Sequence, residues 1–246
     1  MHPLIETILS RRTIRKYKAE PLPAEDREQI IACAQRAPTG GGLQVYSLVR
    51  VTDAGLRAQI AHLAGDQAHV REAAEFFVVC ADVHRDRALI AHRGGQPGVA
   101  SVMSLLYGCL DATIAASFMG LAAEALGYGT CFIGGIQNAL DEIARLLALP
   151  EGVLPVVGLC IGRPAEQPEQ RPRMPLDVIV HENAYGQLTP DDLDRCYAAQ
   201  AAASSSGDWF RTVNRYLGAG GVMDKREPIA RQTLAQQGLW PCGPGT

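Results

Sequence analysis

The chain has 246 residues, of which 47% are hydrophobic and 20% charged, and its formal net charge is −3 with an isoelectric point near 6.1. This slightly acidic balance excludes a protein-wide attraction for nucleic acid or for an anionic membrane, so any anion site must be local. The length suits one large domain or two small ones with a sizeable core.

The spacing of apolar residues predicts helices that alternate with strands along the first two thirds of the chain. Such alternation is typical of an α/β layer arrangement. The predicted elements are a short helix with Leu4, Ile5, Ile8 and Leu9, a helix over 24–36, a strand over 45–53, a helix over 54–64, a strand over 75–83, a long helix over 101–123, a strand over 129–136, a helix over 140–150 and a strand over 153–164.

The composition changes after residue 162. The segment "RPAEQPEQRPRMP" is rich in proline and cannot continue a helix or a central strand. Beyond it we expect a polar helix around 191–202, then the segment "AAASSSGD", which is rich in small residues, and a final helix through "EPIARQTLAQQG". We therefore predict a core over 1–162 and an extension over 163–246 that belongs to the same single domain.

The longest apolar stretch, residues 101–123, carries only Asp111 as a charge and is long enough for a membrane span. It is rich in small residues, and the sequence contains no second stretch of this kind. Both features favour a buried helix, covered by the sheet on one side and by another subunit on the other. No secretory signal opens the chain, and the seven cysteines sit mostly inside apolar runs. We expect a cytoplasmic protein with reduced thiols and no membrane partner.

Several chemistries have no motif in this chain. There is no phosphate-binding loop of the G-x-x-x-x-G-K-[ST] type, no G-x-S-x-G elbow and no H-E-x-x-H or C-x-x-C spacing. We expect no built-in metal site. If the protein is an enzyme, a bound cofactor carries the chemistry.

A basic cluster, "SRRTIRKY", places Arg11, Arg12, Arg15 and Lys16 directly after the first predicted helix. The planar guanidinium group of arginine can donate two parallel hydrogen bonds to phosphate oxygens, so the cluster could face a ligand. The cluster could also lie on a solvated face at the end of the first helix, and this stretch alone leaves both interpretations open. Three further loops could line a ligand cleft: "APTGGGLQ" over 37–44, "FIGGI" over 132–136 and "RPR" over 171–173.

These segments together resemble the FMN-dependent nitroreductase superfamily, in the branch of the major oxygen-insensitive nitroreductases and flavin reductase P. The resemblance spans about 3–187 and is also carried by "LQVYSLVRVTD", "LAGDQAHVREAAEFFVVCAD", "LGYGTCFIGGI", "LPVVGLCIGRPAEQPEQRPRMP" and "VHENAY". It implies a nitroreductase-like α/β (α+β) fold, with a central mixed sheet flanked by helices. It further implies a homodimer with FMN at the subunit interface and a C-terminal extension that wraps the partner subunit.

The resemblance also implies a set of site residues around a tightly bound, non-covalent FMN. Arg15 would lie nearest the N1/O2 edge of the ring, Arg171 and Arg173 would close on the phosphate, and Gly134 and Gly135 would let backbone groups approach N5. The implied FMN-binding residues are Arg11, Arg12, Thr13, Arg15, Thr39, Gly40, Gln67, Phe132, Ile133, Gly134, Gly135, Arg171 and Arg173, with Thr39 and Gly40 contributed by the partner. The implied substrate-binding residues are Gly41, Gly42, Lys225 and Arg226.

The implied activity is the reduction of nitroaromatics, quinones or free flavin by NAD(P)H in a ping-pong reaction without a catalytic side chain. Three departures from the family pattern weaken the expectation of a strong NADPH preference: Gln137 and Glu227 stand where relatives carry arginine, and the loop "AQAAASSSGDW" contains none. The alternative is a non-catalytic FMN-binding protein of the same fold, a carrier or a sensor.

Overall fold

The computed structural model describes residues 1–99, 101–201 and 208–240. In chain order its elements are α1 (Pro3–Ser10), α2 (Ala24–Gln35), β1 (Tyr46–Arg50), α3 (Ala54–Leu63), α4 (Ala68–Glu72), β2 (Glu75–Asp82), α5 (His84–His92), α6 (Val102–Ala125), β3 (Gly129–Ile133), α7 (Leu140–Leu146), β4 (Val153–Gly162), α8 (Leu176–Ile179), α9 (Pro190–Ala201), α10 (Trp209–Leu217) and α11 (Val222–Gln236). Short 3₁₀ turns occupy Gly40–Gly42 and Gly134–Asn138. Most of the predicted "AAASSSGD" segment and Cys242 lie outside the described residues.

Most predicted helices and strands are confirmed to within a few residues. The strand expected over 129–136 ends at Ile133, because Gly134–Asn138 turns as a 3₁₀ helix. The helices α4, α5, α8 and α10 were not predicted. The helix α5 buries none of its residues, so it has no apolar stripe that periodicity could detect.

The four strands form one sheet in the order β1-β2-β4-β3. All three neighbouring pairs are antiparallel, which corrects the expectation of a mixed sheet. A parallel pairing occurs at the isolated bridge between Thr13 and Thr130. Helix–strand alternation did not fix strand direction, because a helix between two strands can return the chain to either end of the sheet.

Helices cover both faces of this sheet, which explains why every residue of β2 is buried. On one face Phe76, Val78 and Cys80 pack with residues of α3 and α7. On the other face Phe77 and Val79 pack with residues of α2 and α6. The predicted buried strand is therefore a central strand between two hydrophobic layers.

The long helix α6 lies against the second of these layers through Ala112, Ala115, Ala116 and Met119. Among the described residues, it is the one helix long and apolar enough to cross a membrane by length and composition, a test that core helices also pass. Its other face exposes apolar side chains, and so does the neighbouring helix α1. The exposed residues are Leu4, Ile5, Ile8, Leu9, Met103, Leu106, Leu110 and Phe118.

Contacts divide the chain into two compact units. The first comprises Met1–Pro168 together with the chain from Pro228 onward, and it contains the sheet. The second, Glu169–Glu227, contains α8 and α9, which are joined by a bidentate pair of 2.6 and 2.7 Å between Arg195 and Asp177. The predicted boundary between residues 162 and 163 stays a prediction.

Candidate functional site

The basic cluster lies on an extended segment that is fixed to the edge of the sheet. The backbone N–H of Ile14 donates to the carbonyl of Thr130 at 2.9 Å, and Thr13 bridges Thr130. The Ile14 side chain is buried against Gly129, where a Cβ would lie only 2.5 Å from it. The cations are therefore carried by a strand-like segment beside β3, which favours a ligand-facing role over a solvated helix end.

Two of these cations border a cavity of about 680 Å³. Arg11 Nε lies 3.3 Å from Glu124 Oε1, which also accepts from Thr130 Oγ1 at 2.6 Å. Glu124 Oε2 and Arg12 Nε are both buried and have no hydrogen-bond partner among the described residues. Because a buried polar atom without a partner costs free energy, this cavity has the polar groups that a ligand would satisfy.

Glu166 holds the middle of the basic segment from the opposite side. Its Oε1 accepts from the backbone N–H groups of Arg15 and Lys16 at 2.6 and 3.0 Å. The chain on either side is bonded too, since Ala165 N donates to the carbonyl of Lys16 at 2.9 Å. Glu166 was not predicted, because its role depends on a contact 150 residues away in sequence.

The structure places Gln67 beside Gly135. A Cβ on Gly135 would lie 2.2 Å from the carbonyl oxygen of Ala64 and 2.5 Å from Gln67 Nε2. The neighbouring Gly134 has no atom within 4 Å of its Cβ position. Only glycine fits at 135, while open space adjoins 134, so the backbone here is accessible to a flat ligand.

Of the two residues before these glycines, Phe132 is 39% exposed and Ile133 is fully buried. The Phe132 ring packs on Gly120 of α6, whereas Ile133 belongs to the core layer on the opposite face of the sheet. Only the backbone of Ile133 is therefore open to a ligand-binding role.

Arg15 influences groups on the side of β3 where Gln67 lies. Burial lowers the pKa of His69, and the positive charge of Arg15 lowers it further. Burial raises the pKa of the Cys131 thiol, against the opposing charges of Arg15 and Arg11. His69 was not predicted as a site residue, although it follows Gln67 by two positions and its Nε2 is buried without a partner among the described residues.

The glycine loop is built around Asp111, which is 2% exposed. Its Oδ1 accepts from Gly40 N at 3.0 Å and its Oδ2 from Val45 N at 3.1 Å. Gly41 and Gly42 adopt φ of 60° and 71°, which favour glycine, and Thr39 precedes the turn. The backbone geometry accounts for the sequence "TGGG".

Within one chain, the glycine loop and the basic segment do not meet at one ligand position. The loop is bound to Asp111 and Arg11 is bound to Glu124, 13 residues later in α6. This spacing corresponds to about 20 Å along the helix axis. The residues Thr39, Gly40, Gly41 and Gly42 therefore lie apart from Arg11 and Arg12 in the same chain.

The remaining predicted residues belong to the second unit. Arg171 and Arg173 are exposed, and Arg173 Nη1 donates to the carbonyls of Arg171 and Pro172, each at 3.2 Å. Lys225 and Arg226 lie on α11. The loop expected to meet a nucleotide 2′-phosphate lies largely outside the described residues, and the functional roles of these residues stay predictions.

No group of His, Cys, Asp and Glu that could hold a metal ion occurs within 1–99, 101–201 and 208–240. The arrangement instead offers guanidinium donors and accessible backbone. Such a site suits an anionic ligand with a flat ring.

The comparisons with known proteins agree with this description. The sequence model of the Nitroreductase family matches residues 8–163. The chain is 40% identical to the NADPH-flavin oxidoreductase of Vibrio harveyi over 97% of this chain and 99% of that protein. It is 36% identical to the oxygen-insensitive NADPH nitroreductase of Salmonella typhimurium over 97% and 98%.

The fold agrees as well. The structure of the NADPH:FMN oxidoreductase from Vibrio harveyi complexed with NAD⁺ superimposes with a TM-score of 0.88. That structure is 37% identical in sequence and covers 96% of this chain and 98% of its own.

Proposed function

The chain belongs to the nitroreductase family, and from this premise we propose that it is an FMN-dependent oxidoreductase that uses NAD(P)H to reduce nitroaromatics, quinones or free flavin. The observation that carries the proposal is the fixed basic segment beside β3, with the buried, unpartnered Arg12 Nε at the cavity. The named activities of relatives that match nearly the whole chain support the reaction class.

The described residues fit FMN by their chemistry. A phosphate group would satisfy the donors that Arg11 and Arg12 present to the cavity. Gly134 and Gly135 leave room for a flat ring to approach the backbone. Gln67 uses one amide hydrogen on Ala64 O, which leaves its other hydrogen and its carbonyl oxygen for a ligand.

When bound, FMN supplies hydride acceptance and donation at N5. Arg15 contributes an exposed guanidinium that can stabilise negative charge at the N1/O2 edge. Thr13, Gln67 and the backbone at Ile133–Gly135 would orient the ring, and Arg171 with Arg173 would add phosphate donors. No side chain is assigned as acid or base, so the protons come from solvent.

We propose a homodimer in which each FMN site takes Thr39 and Gly40 from the partner subunit. Two observations support it. The glycine loop and the basic segment are held about 20 Å apart along α6 in one chain. The face that α1 and α6 leave exposed is apolar over several turns, as subunit interfaces are. Residues 163–246 would complete the same domain as an extension around the partner.

We further propose that the protein is cytoplasmic and uses NADH as well as NADPH. Free, buried cysteines support a reducing compartment, since Cys80, Cys131 and Cys160 are unpaired. Gln137 and Glu227 stand where relatives carry arginine, so we expect no strong preference for the 2′-phosphate. The substrates would contact Gly41, Gly42, Lys225 and Arg226.

An anaerobic absorbance titration tests the function. The purified yellow protein is mixed with NADH or with NADPH, and the absorbance of the flavin band at about 450 nm is followed. We expect both nucleotides to bleach the flavin band, and we expect a quinone added afterwards to restore its absorbance. A yellow protein that neither nucleotide bleaches would favour a flavin carrier, and a protein that binds no FMN would contradict the proposal.

A further inference from the structure

A second basic cavity lies at the other edge of the sheet. It has a volume of about 460 Å³ and is lined by Arg50, Arg57 and Arg71, together with Thr52, Ala54 and Ala74. Arg50 lies on β1, whereas the basic segment pairs with β3, and the strands β2 and β4 separate these two edges. Three strand spacings amount to about 14 Å, so this cavity is distinct from the one that Arg11 and Arg12 border.

Two of its three guanidinium groups are held in place by the fold. Arg50 makes a bidentate pair with Glu75, with N–O distances of 2.6 and 2.7 Å, and Glu75 is 3% exposed. Arg57 donates to the carbonyls of Val51 and Ala73 at 2.7 to 3.3 Å. Because these two side chains are fixed before any ligand arrives, binding would cost little entropy at Arg50 and Arg57.

These bonds leave donors unused. A guanidinium carries five N–H groups, and Arg50 spends two of them on Glu75. Arg57 spends three on backbone carbonyls and keeps one hydrogen on each terminal nitrogen. Both residues therefore combine a structural bond with N–H groups that no described residue accepts, and both line the cavity.

The side chain of Arg71 makes no structural bond of this kind. It is exposed and lines the cavity, and its guanidinium forms no hydrogen bond or ion pair with any described residue. Structural bonds thus explain why Arg50 and Arg57 are arginines, but they do not explain the third cation.

The charges at this cavity do not balance. Glu75 is the one carboxylate paired with these arginines among the described residues, and it also lies 3.4 Å from Arg27. Burial lowers the pKa of Arg57, the negative charge of Glu75 opposes this shift, and the positive charge of Arg50 adds to it. An anion between the guanidinium groups would offset the mutual repulsion of the like charges of Arg50 and Arg57.

We propose that Arg50, Arg57 and Arg71 form an oxyanion site for a phosphate group, carried by free phosphate or by a phosphorylated small molecule. Arginine forks match phosphate oxygens in geometry and charge. Ala54, in the first turn of α3, also lines the cavity, and the Asp53 carboxylate already caps that helix by accepting from Leu56 N–H at 2.6 Å, so the positive charge of the site comes from the arginines. Nothing in this site depends on the proposed redox activity.

The experiment titrates inorganic phosphate into the FMN-loaded protein at constant ionic strength, with heat as the readout and thermal unfolding as a second measure. FMN loading keeps the phosphate donors of the flavin site occupied. We expect saturable binding, weakened at least about fivefold in Arg71→Ala, because one charge-assisted donor is lost. Arg71→Lys keeps the charge and should restore part of the affinity.

The matched control is Arg93→Ala, another exposed arginine without a described partner, at the end of α5. It should bind phosphate like the parent protein. Glycerol phosphate in a parallel titration distinguishes the two sources, because a phosphorylated small molecule should bind more tightly than free phosphate if it is the natural ligand. Equal phosphate binding by Arg71→Ala and the parent, or no saturation, would overturn the proposal.

Discussion

Helix α6 carries two carboxylates with different partners: Asp111 near the middle of the helix and Glu124 in its last turn. Asp111 accepts from two backbone N–H groups, one through each oxygen. Glu124 uses one oxygen for the side chains of Arg11 and Thr130, and its other oxygen is buried with no partner among the described residues. The hydrogen bonds of Asp111 complete the glycine loop, whereas the surroundings of Glu124 still contain polar groups for a ligand to satisfy.

This difference separates residues that shape the backbone from residues that position a side chain. Backbone N–H groups around Asp111 have no other acceptor if the carboxylate is removed. Arg11 and Glu124 border a cavity, so the Arg11 side chain can turn toward water, although Thr130 is buried. We therefore expect substitutions of Asp111 to act on stability, and substitutions around Glu124 to act chiefly on ligand binding.

The largest effect should follow Asp111→Ala. It leaves the N–H groups of Gly40 and Val45 without an acceptor in a buried region, which should cost about 3 to 5 kcal/mol of unfolding free energy. Denaturant unfolding followed by circular dichroism measures the loss. Asp111→Asn keeps one acceptor and serves as the control, with a smaller loss. An Asp111→Ala protein as stable as the parent would show that the loop does not depend on this carboxylate.

A smaller effect, and one on ligand alone, should follow Arg12→Ala. Loss of a charge-assisted phosphate contact should weaken FMN binding by about 10- to 100-fold. The fold should be retained because Arg12 Nε has no described partner to lose. Flavin absorbance of the purified protein and an FMN titration measure the change, and Lys16→Ala in the same segment is the control. A variant as yellow as the parent would remove Arg12 from the site.

The smallest effect should follow Glu124→Gln. The amide oxygen can still accept from Thr130, and the lost ion pair with Arg11 is partly exposed, so the cost should be about 1 kcal/mol. Urea unfolding measures this cost beside that of Asp111→Asn. If Glu124→Gln destabilised the protein more than Asp111→Asn, the contrast between the two carboxylates of α6 would be wrong.

The sequence predicted most elements because their apolar spacing or length is clear, as in β2 and α6. It could not predict that β1 to β4 pair antiparallel, since the direction of a strand depends on where its connecting helix returns. Motif resemblance singled out Gln67 and Gly135; the fold places them side by side, and their role at a flavin stays a prediction. It did not indicate Glu124 or Glu166, because both act through partners more than 100 residues away. Residues that act only through tertiary contacts leave no local pattern.

The central claim is that each flavin site combines the basic segment of one chain with the glycine loop of another. Two variants test it when co-expressed with different tags: Arg12→Ala, and Gly40→Val, whose Cβ would lie 2.6 Å from the Tyr107 ring. Each variant alone should bind little FMN. In a mixed dimer one site carries both defects and the other carries none, so we predict FMN in about half of the sites of the isolated mixed dimer. Mixed dimers that bind no more FMN than either variant alone would contradict the claim.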